Sequence, residues 1–246
     1  MENHLLIGTA DKTDTLLQTT SEPFLLLDDG PIADKFAKAF PEATIYNPRR
    51  HNFTIARDYK SVRDFANILY GSGHGEHTLT VRNGRRTLAK LLKDNTTPLH
   101  KIDGDRKDPA IAEALGMLDE LWLSPVLKRV LTHKPNFDFE GSVIARIDRA
   151  ELGDFDAFVL GTLLIGQHQG HIVVPEGGFY LRPLHTSLIR QNRLTVALRY
   201  LDELPLSLRQ AVLTIEDKHF AHLLPDDAKY LIGFTDNPAG NPTNLM

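Results

Sequence analysis

The sequence contains no cysteine, which excludes disulfide staples, thiolate nucleophiles and thiolate metal centres. Stability has to come from burial, hydrogen bonding and subunit contacts. Long hydrophobic runs are also missing: the apolar stretch from Phe158 to Ile165 falls far short of the roughly 20 residues that a bilayer-crossing helix needs. The N-terminus lacks a basic flank and cleavage site, so neither a membrane span nor a secretion signal is expected, and a cytoplasmic location fits. Nor is there an excess of positive charge. A formal net charge of -4 supplies no global attraction to phosphate backbones, so any nucleic-acid contact needs a local basic patch.

What is present suits an ordinary globular domain. Hydrophobic residues make up 41% of the 246, enough to fill one core, and a single α/β domain is expected. His4 to Gly8, Pro23 to Leu27 and Ala43 to Tyr46 read as short apolar strands. Helical stretches from Asp14 to Thr20 and Ile32 to Phe40 separate them, which implies parallel crossovers. Residues 50–137 read as a mostly helical insertion, with an apolar stripe at Val62, Phe65, Ala66 and Leu69 and a long helix from Pro109 to Leu123 broken at Ser124-Pro125. Alternation then returns: Ser142 to Ile147, His171 to Val174 and Leu194 to Leu198 as strands, Phe155 to Gln167 as an apolar helix. Two further helices, 206–212 and 226–234, and a flexible tail over 237–246 complete the expectation.

The segment Gly8-Thr9-Ala10-Asp11-Lys12-Thr13-Asp14-Thr15 follows an apolar strand and opens a helix. Its spacing matches G-x-x-x-x-G-K-[ST], but Thr13 replaces the second glycine and Asp14 the lysine. A working phosphate loop needs backbone N–H groups free to wrap phosphate, a lysine for the β/γ charge and a hydroxyl for magnesium. Asp14 instead brings a negative charge to the place of phosphate. The alternative is an ordinary strand–helix turn in which Asp14 or Thr13 caps the helix. Gly8, Lys12, Thr13 and Thr15 are the nucleotide-binding candidates, Lys12 in a different register.

Several segments in order resemble the FtsK/HerA-type ATPases, which include DNA translocases, conjugative coupling proteins and viral genome-packaging ATPases. His4 to Gln18 is similar to their first strand, phosphate loop and helix. Pro23 to Pro48 is similar to the second strand, acidic turn, helix and third strand. His171-Ile-Val-Val-Pro-Glu176 stands in the Walker B place, with proline for the first acid, and Arg199 stands where a sensor glutamine is usual. Leu204-Pro205-x-x-Leu208-Arg209-x-Ala211-Val212 resembles the stretch that follows. The resemblance implies a P-loop-NTPase-like, mainly parallel sheet with helices on both faces, ATP and magnesium as the cofactors to test, and Glu176 as the catalytic acid. Altered lysine, acid pair and sensor together imply a degenerate member with little or no hydrolysis, of phage or mobile-element origin and then virion-associated.

Three readings stay open. The first is a degenerate P-loop-fold protein acting by protein contacts, through self-association or within a DNA-handling or virion assembly. The second is an active packaging or translocation ATPase in which Lys12 and Thr15 hold phosphate and Glu176 activates water. The third is an unrelated α/β enzyme using Asp28, Asp29 and Glu176 at the strand ends. Arg190, Arg193 and Arg199, within the densest arginine region, are candidates for DNA or subunit contact, against the alternative of ion pairs with nearby acids. His74, Glu76 and His77 fall short of a zinc ligand set, and no metal is assigned. Trp122, Phe155 and Phe158 lie at helical spacing in apolar stretches and are expected in the core.

Overall fold

Phe24 to Leu27, His171 to Val174 and Leu194 to Leu198 are apolar at nearly every position, a pattern that is stable only where both faces of a strand are covered. All three are buried at every residue. The computed structural model describes residues 3–7, 11–55, 58–71, 79–94, 98–191, 193–206, 208 and 221–223. Along them run β1 (His4–Ile7), α1 (Thr13–Thr19), β2 (Phe24–Leu27), α2 (Pro31–Ala39), β3 (Thr44–Tyr46), α3 (Tyr59–Gly71), α4 (Leu79–Asp94), α5 (Pro109–Leu123) and α6 (Pro125–Thr132). Then follow β4 (Val143–Ala145), α7 (Arg149–Leu152), α8 (Asp154–Gln167), β5 (His171–Val174), α9 (Gly177–Tyr180), α10 (Thr186–Arg190), β6 (Leu194–Leu198) and β7 (Ala221–Leu223).

Among the described residues the strands order as β3-β4-β2-β5-β6-β1-β7. The pairs from β4 to β7 are all parallel, with Leu25 opposite Ile172, Ile172 opposite Leu194 and Leu5 opposite Val196. The expected α/β class with a mainly parallel sheet is what forms. β7 was not legible beforehand. The expected helices over 206–212 and 226–234 and the tail over 237–246 lie largely or wholly outside the described residues. None of the described helices is long and apolar enough to cross a membrane.

The chain divides into two compact units. The first holds residues 1–45, 140–146 and 168–246. Its core packs Leu16 of α1 and Ala33 and Phe36 of α2 onto Leu6, Phe24, Leu26, Ile144, Val173 and Ala197, which share one face of the sheet by the period-two rule. Phe24, Phe36 and Phe40 meet edge-on or tilted within 5.7 Å. At the strand N-termini, His171 Nε2 and Thr195 Oγ1 share a hydrogen bond of 2.7 Å, and the Asn3 carboxamide accepts from the Leu194 N–H at 3.0 Å.

The second unit holds residues 46–139 and 147–167. Its first part carries α3 to α6, and 147–167 carries α7 and α8. Helix starts follow the residues that predict them. Asp108 accepts from the N–H groups of Ala110 and Ile111 with Pro109 in the first turn, and Ser124 accepts from Leu127 N–H with Pro125 in the first turn. The buried stripe of α3 is Val62, Phe65, Ala66, Ile68 and Leu69. Entry and exit of the long helical segment are tied together: Asn52 N–H donates to Asn136 Oδ1 at 2.7 Å and Asn136 N–H to Asn52 O at 3.1 Å. Tyr46, His51, Phe53, Phe137 and Phe139 cluster around that closure. Of the aromatics expected in the core, Phe158 is buried, but Trp122, in the last turn of α5, is half-buried and Phe155, in the first turn of α8, is exposed.

Candidate functional site

In a parallel sheet every strand releases its chain at the same edge, so strand order decides which side chains meet there. Within the first unit that edge collects Asp28 after β2, Pro175 and Glu176 after β5, Arg199 after β6, and Lys12, the N-cap of α1. β6 lies between β1 and β5. Lys12 reaches over it: its Nζ donates to the Pro175 carbonyl at 2.8 Å. Burial pulls the Lys12 ammonium below the ordinary lysine value, opposed by the charges of Glu176, Glu203 and Asp28 and reinforced by Arg199. The five charged groups therefore form one electrostatic neighbourhood, which adjacency in sequence does not reveal.

The head of α1 has its own anion. Thr13 donates to Asp11 Oδ1 through both its N–H, at 3.0 Å, and its hydroxyl, at 2.6 Å. These bonds, the hydroxyl first, hold the Asp11 carboxyl below its usual range. Asp14, expected at the phosphate position, instead faces solvent: its side chain is 85% exposed, with Oδ1 3.9 Å from Lys35 Nζ. A first-turn carboxylate in a helix points away from the axis, whereas the residue two before Thr13 can fold back onto its N–H. The inserted acid is Asp11. Thr15 sits in the first turn of α1, its carbonyl accepting from Thr19 Oγ1 at 2.9 Å. Gly8 lies outside the described residues, as do His74, Glu76 and His77.

Glu176 is exposed at the N-cap of α9. The turn that carries it lies tight on β6: a Cβ on Gly177 would come within 2.0 Å of Val196 Cγ2, and one on Gly178 within 2.8 Å of Glu203 Cβ. Those paired glycines after an apolar strand were the available signal that the Glu176 turn is pinned. Asp28 is half-buried and accepts from the N–H groups of Gly30 at 3.0 Å and Ala33 at 2.8 Å, which caps α2. Burial raises its carboxyl above the usual range and the two backbone bonds work against it.

The arginine region splits into different roles. Arg193 donates from Nε to Gly170 O at 2.9 Å, from Nη2 to His168 O at 2.8 Å and from Nη1 to Gln191 Oε1 at 3.0 Å, at the N-terminal end of β6. That guanidinium is spent on tying the turn before β5 to β6. Arg193→Ala is expected to cost about 2 kcal/mol of stability, since charge-assisted bonds contribute about 1.5–3 kcal/mol; the urea midpoint reads it. Arg190 and Arg199 are exposed, and Arg199 N–H donates to Glu203 Oε2 at 3.1 Å. Arg182 donates to Leu181 O at 2.7 Å, and Arg209 lies outside the described residues.

These residues do not fit triphosphate with magnesium as they stand. Lys12 is engaged on a carbonyl, the Thr13 hydroxyl on the Asp11 carboxylate, and a proline occupies the strand-end position where a paired acid would hold the metal.

No protein-family model matches the sequence, and no curated protein matches it. Among solved structures the chain is similar to VirB4 of Thermoanaerobacter pseudethanolicus, with a TM-score of 0.53 at 12% sequence identity, over 95% of this chain and 80% of that one. At that identity the likeness shows the fold. The fold is a P-loop-NTPase-like α/β sheet.

Proposed function

We propose that this chain is a degenerate P-loop-fold protein with little or no ATP hydrolysis, acting through contacts with other subunits of a DNA-handling or virion assembly. One observation carries the reading: two of the groups that would meet phosphate already have internal partners, Lys12 on Pro175 and Thr13 on Asp11. Displacing them costs hydrogen bonds before any ligand is gained. Glu176 follows Pro175 rather than a second acid, so a magnesium ion lacks its strand-end ligand. Arg190 and Arg199, both exposed, are the proposed subunit or DNA contacts of this unit. A cytoplasmic location, or a virion one, goes with the assembly.

The second reading, an active ATPase with displaced groups, is favoured by the nearness of Lys12 to Glu176. Magnesium-ATP titration followed by thermal unfolding and phosphate release separates the two. The expected result is no stabilisation at millimolar nucleotide and no phosphate release above background. A turnover near ten per second, roughly the median for enzymes, abolished in Lys12→Ala and Glu176→Gln, would overturn the proposal.

A further inference from the structure

The strongest unassigned feature lies in the helical unit. α4 carries Arg82, Arg85, Arg86, Lys90 and Lys93 against the single acid Asp94, in a chain whose formal charge is -4. At about 100° per residue, Arg82, Arg86, Lys90 and Lys93 fall within an arc of about 80°. All four are exposed. The opposite face is the buried one, made by Gly84, Leu88 and Leu92. Gly84 brings this face close to its neighbours: a Cβ there would lie 2.5 Å from Tyr70 Oη of α3 and 2.6 Å from Glu113 Cγ of α5. Packing on that side therefore fixes the cationic row outward. Among the described residues no carboxylate pairs with Arg82, Arg86 or Lys90.

We propose that the outer face of α4 is a docking surface for the phosphodiester backbone of a nucleic acid. The inference concerns the helical unit and needs no nucleotide at the sheet edge. Three features favour phosphate over an acidic protein. First, Arg82, Arg86 and Lys90 follow one another at about 6 Å along the helix axis, in a row inclined to it, a regular spacing suited to a regularly charged strand. Second, two of the three are arginines, whose planar fork binds phosphate oxygens in pairs. Third, the exposed apolar side chain of this face, Leu79, stands at the end of the row and not at its centre, whereas protein interfaces place apolar and aromatic side chains at their core and are depleted in lysine. The contact reads no sequence, because its groups reach backbone charge rather than base edges. Bulk acidity restricts the attraction to this face and makes it steeply salt-dependent.

The test is fluorescence anisotropy of the full chain with a short labelled duplex DNA between about 50 and 200 mM salt. Wild type is expected to bind with an affinity that falls steeply as salt rises. Arg82→Glu/Arg86→Glu/Lys90→Glu should weaken binding at least tenfold and reduce the slope of log affinity against log salt by about 0.9 per lost contact. Arg82→Lys/Arg86→Lys should retain most of it. Circular dichroism and the unfolding midpoint check that the charge-reversed variant folds, which the exposure of all three positions predicts. The proposal is overturned if that folded variant binds as wild type does, if Arg190→Ala/Arg199→Ala removes the binding instead, or if polyglutamate competes as well as DNA. Absence of salt-dependent binding by wild type also overturns it.

Discussion

Taking the protein from pH 7 to pH 5 is expected to lower its unfolding free energy by about 4 kcal/mol, through two histidines that the fold keeps neutral. His171 is fully buried in β5, and burial first, then the positive charges of His4, the N-terminus and Arg193, depress it from 6.5 to about 4. His185 is 3% exposed; burial, with a smaller contribution from Arg182, depresses it to about 3. Its Nδ1 accepts from the Arg182 N–H at 2.9 Å, which requires the neutral ring. Both are bases held below their unfolded value, so the unfolded chain binds more protons between the two values and stability rises with pH there. The contribution is complete above pH 6.5 and is lost as pH falls toward 4 for His171 and 3 for His185. At pH 5 each ring accounts for about 2 kcal/mol. Asp28, whose carboxyl is raised by burial, acts with the opposite sign, but only near the carboxylate range. Urea unfolding at the two pH values measures the effect. An unchanged midpoint would mean that both rings take up a proton in place.

Gly170→Ala is expected to cost about 3 kcal/mol, close to a third of the stability of an ordinary domain. The new Cβ would lie 2.0 Å from the Pro23 carbonyl oxygen and 2.7 Å from His168 Nε2. That oxygen also accepts the His171 N–H at 2.7 Å, the bond that sets β5 beside β2. Relieving the overlap means separating the two strands at their first rung, so the overpacking and the lost hydrogen bond come together. Gly116→Ala is the matched control. It lies inside α5 with nothing within 4 Å of the added Cβ, and should stabilise by about 0.5–1 kcal/mol from helix propensity alone. Thermal or urea unfolding of both variants decides between steric and propensity effects, and equal midpoints would refute the steric account.

Much of the fold was legible because its signals are local. Apolar runs of four or five residues marked β2, β5 and β6, and their lack of alternation implied a sheet covered on both faces. Asp108-Pro109 and Ser124-Pro125 marked helix starts because capping acts within one turn. β7, only three residues long and outside any apolar run, carries no such signal and depends on its pairing with β1. Trp122 and Phe155 misled because helical spacing gives a face without saying what lies against it.

The candidate residues could be named from the sequence, but their arrangement could not be read there. Lys12, Thr13 and Glu176 were candidates, yet the acid at the head of α1 proved to be Asp11 rather than Asp14. Asp14 has 85% of its side chain in solvent, and a motif's spacing does not encode which of two nearby carboxylates folds back. Arg193 and Arg199 are six residues apart and sit at opposite ends of β6, one holding a turn and the other facing the charged edge.

The sequence by itself determined that the chain is α/β, cysteine-free, and built on short apolar strands joined by helices, since burial and capping are decided within a few residues. Only the tertiary structure decided that β6 inserts between β1 and β5, that Lys12 reaches over it to Pro175, and that Arg82, Arg86, Lys90 and Lys93 of α4 face outward. The first two outcomes join residues more than a hundred positions apart, and the third depends on packing of α4 against α3 and α5, so none leaves a local pattern to read.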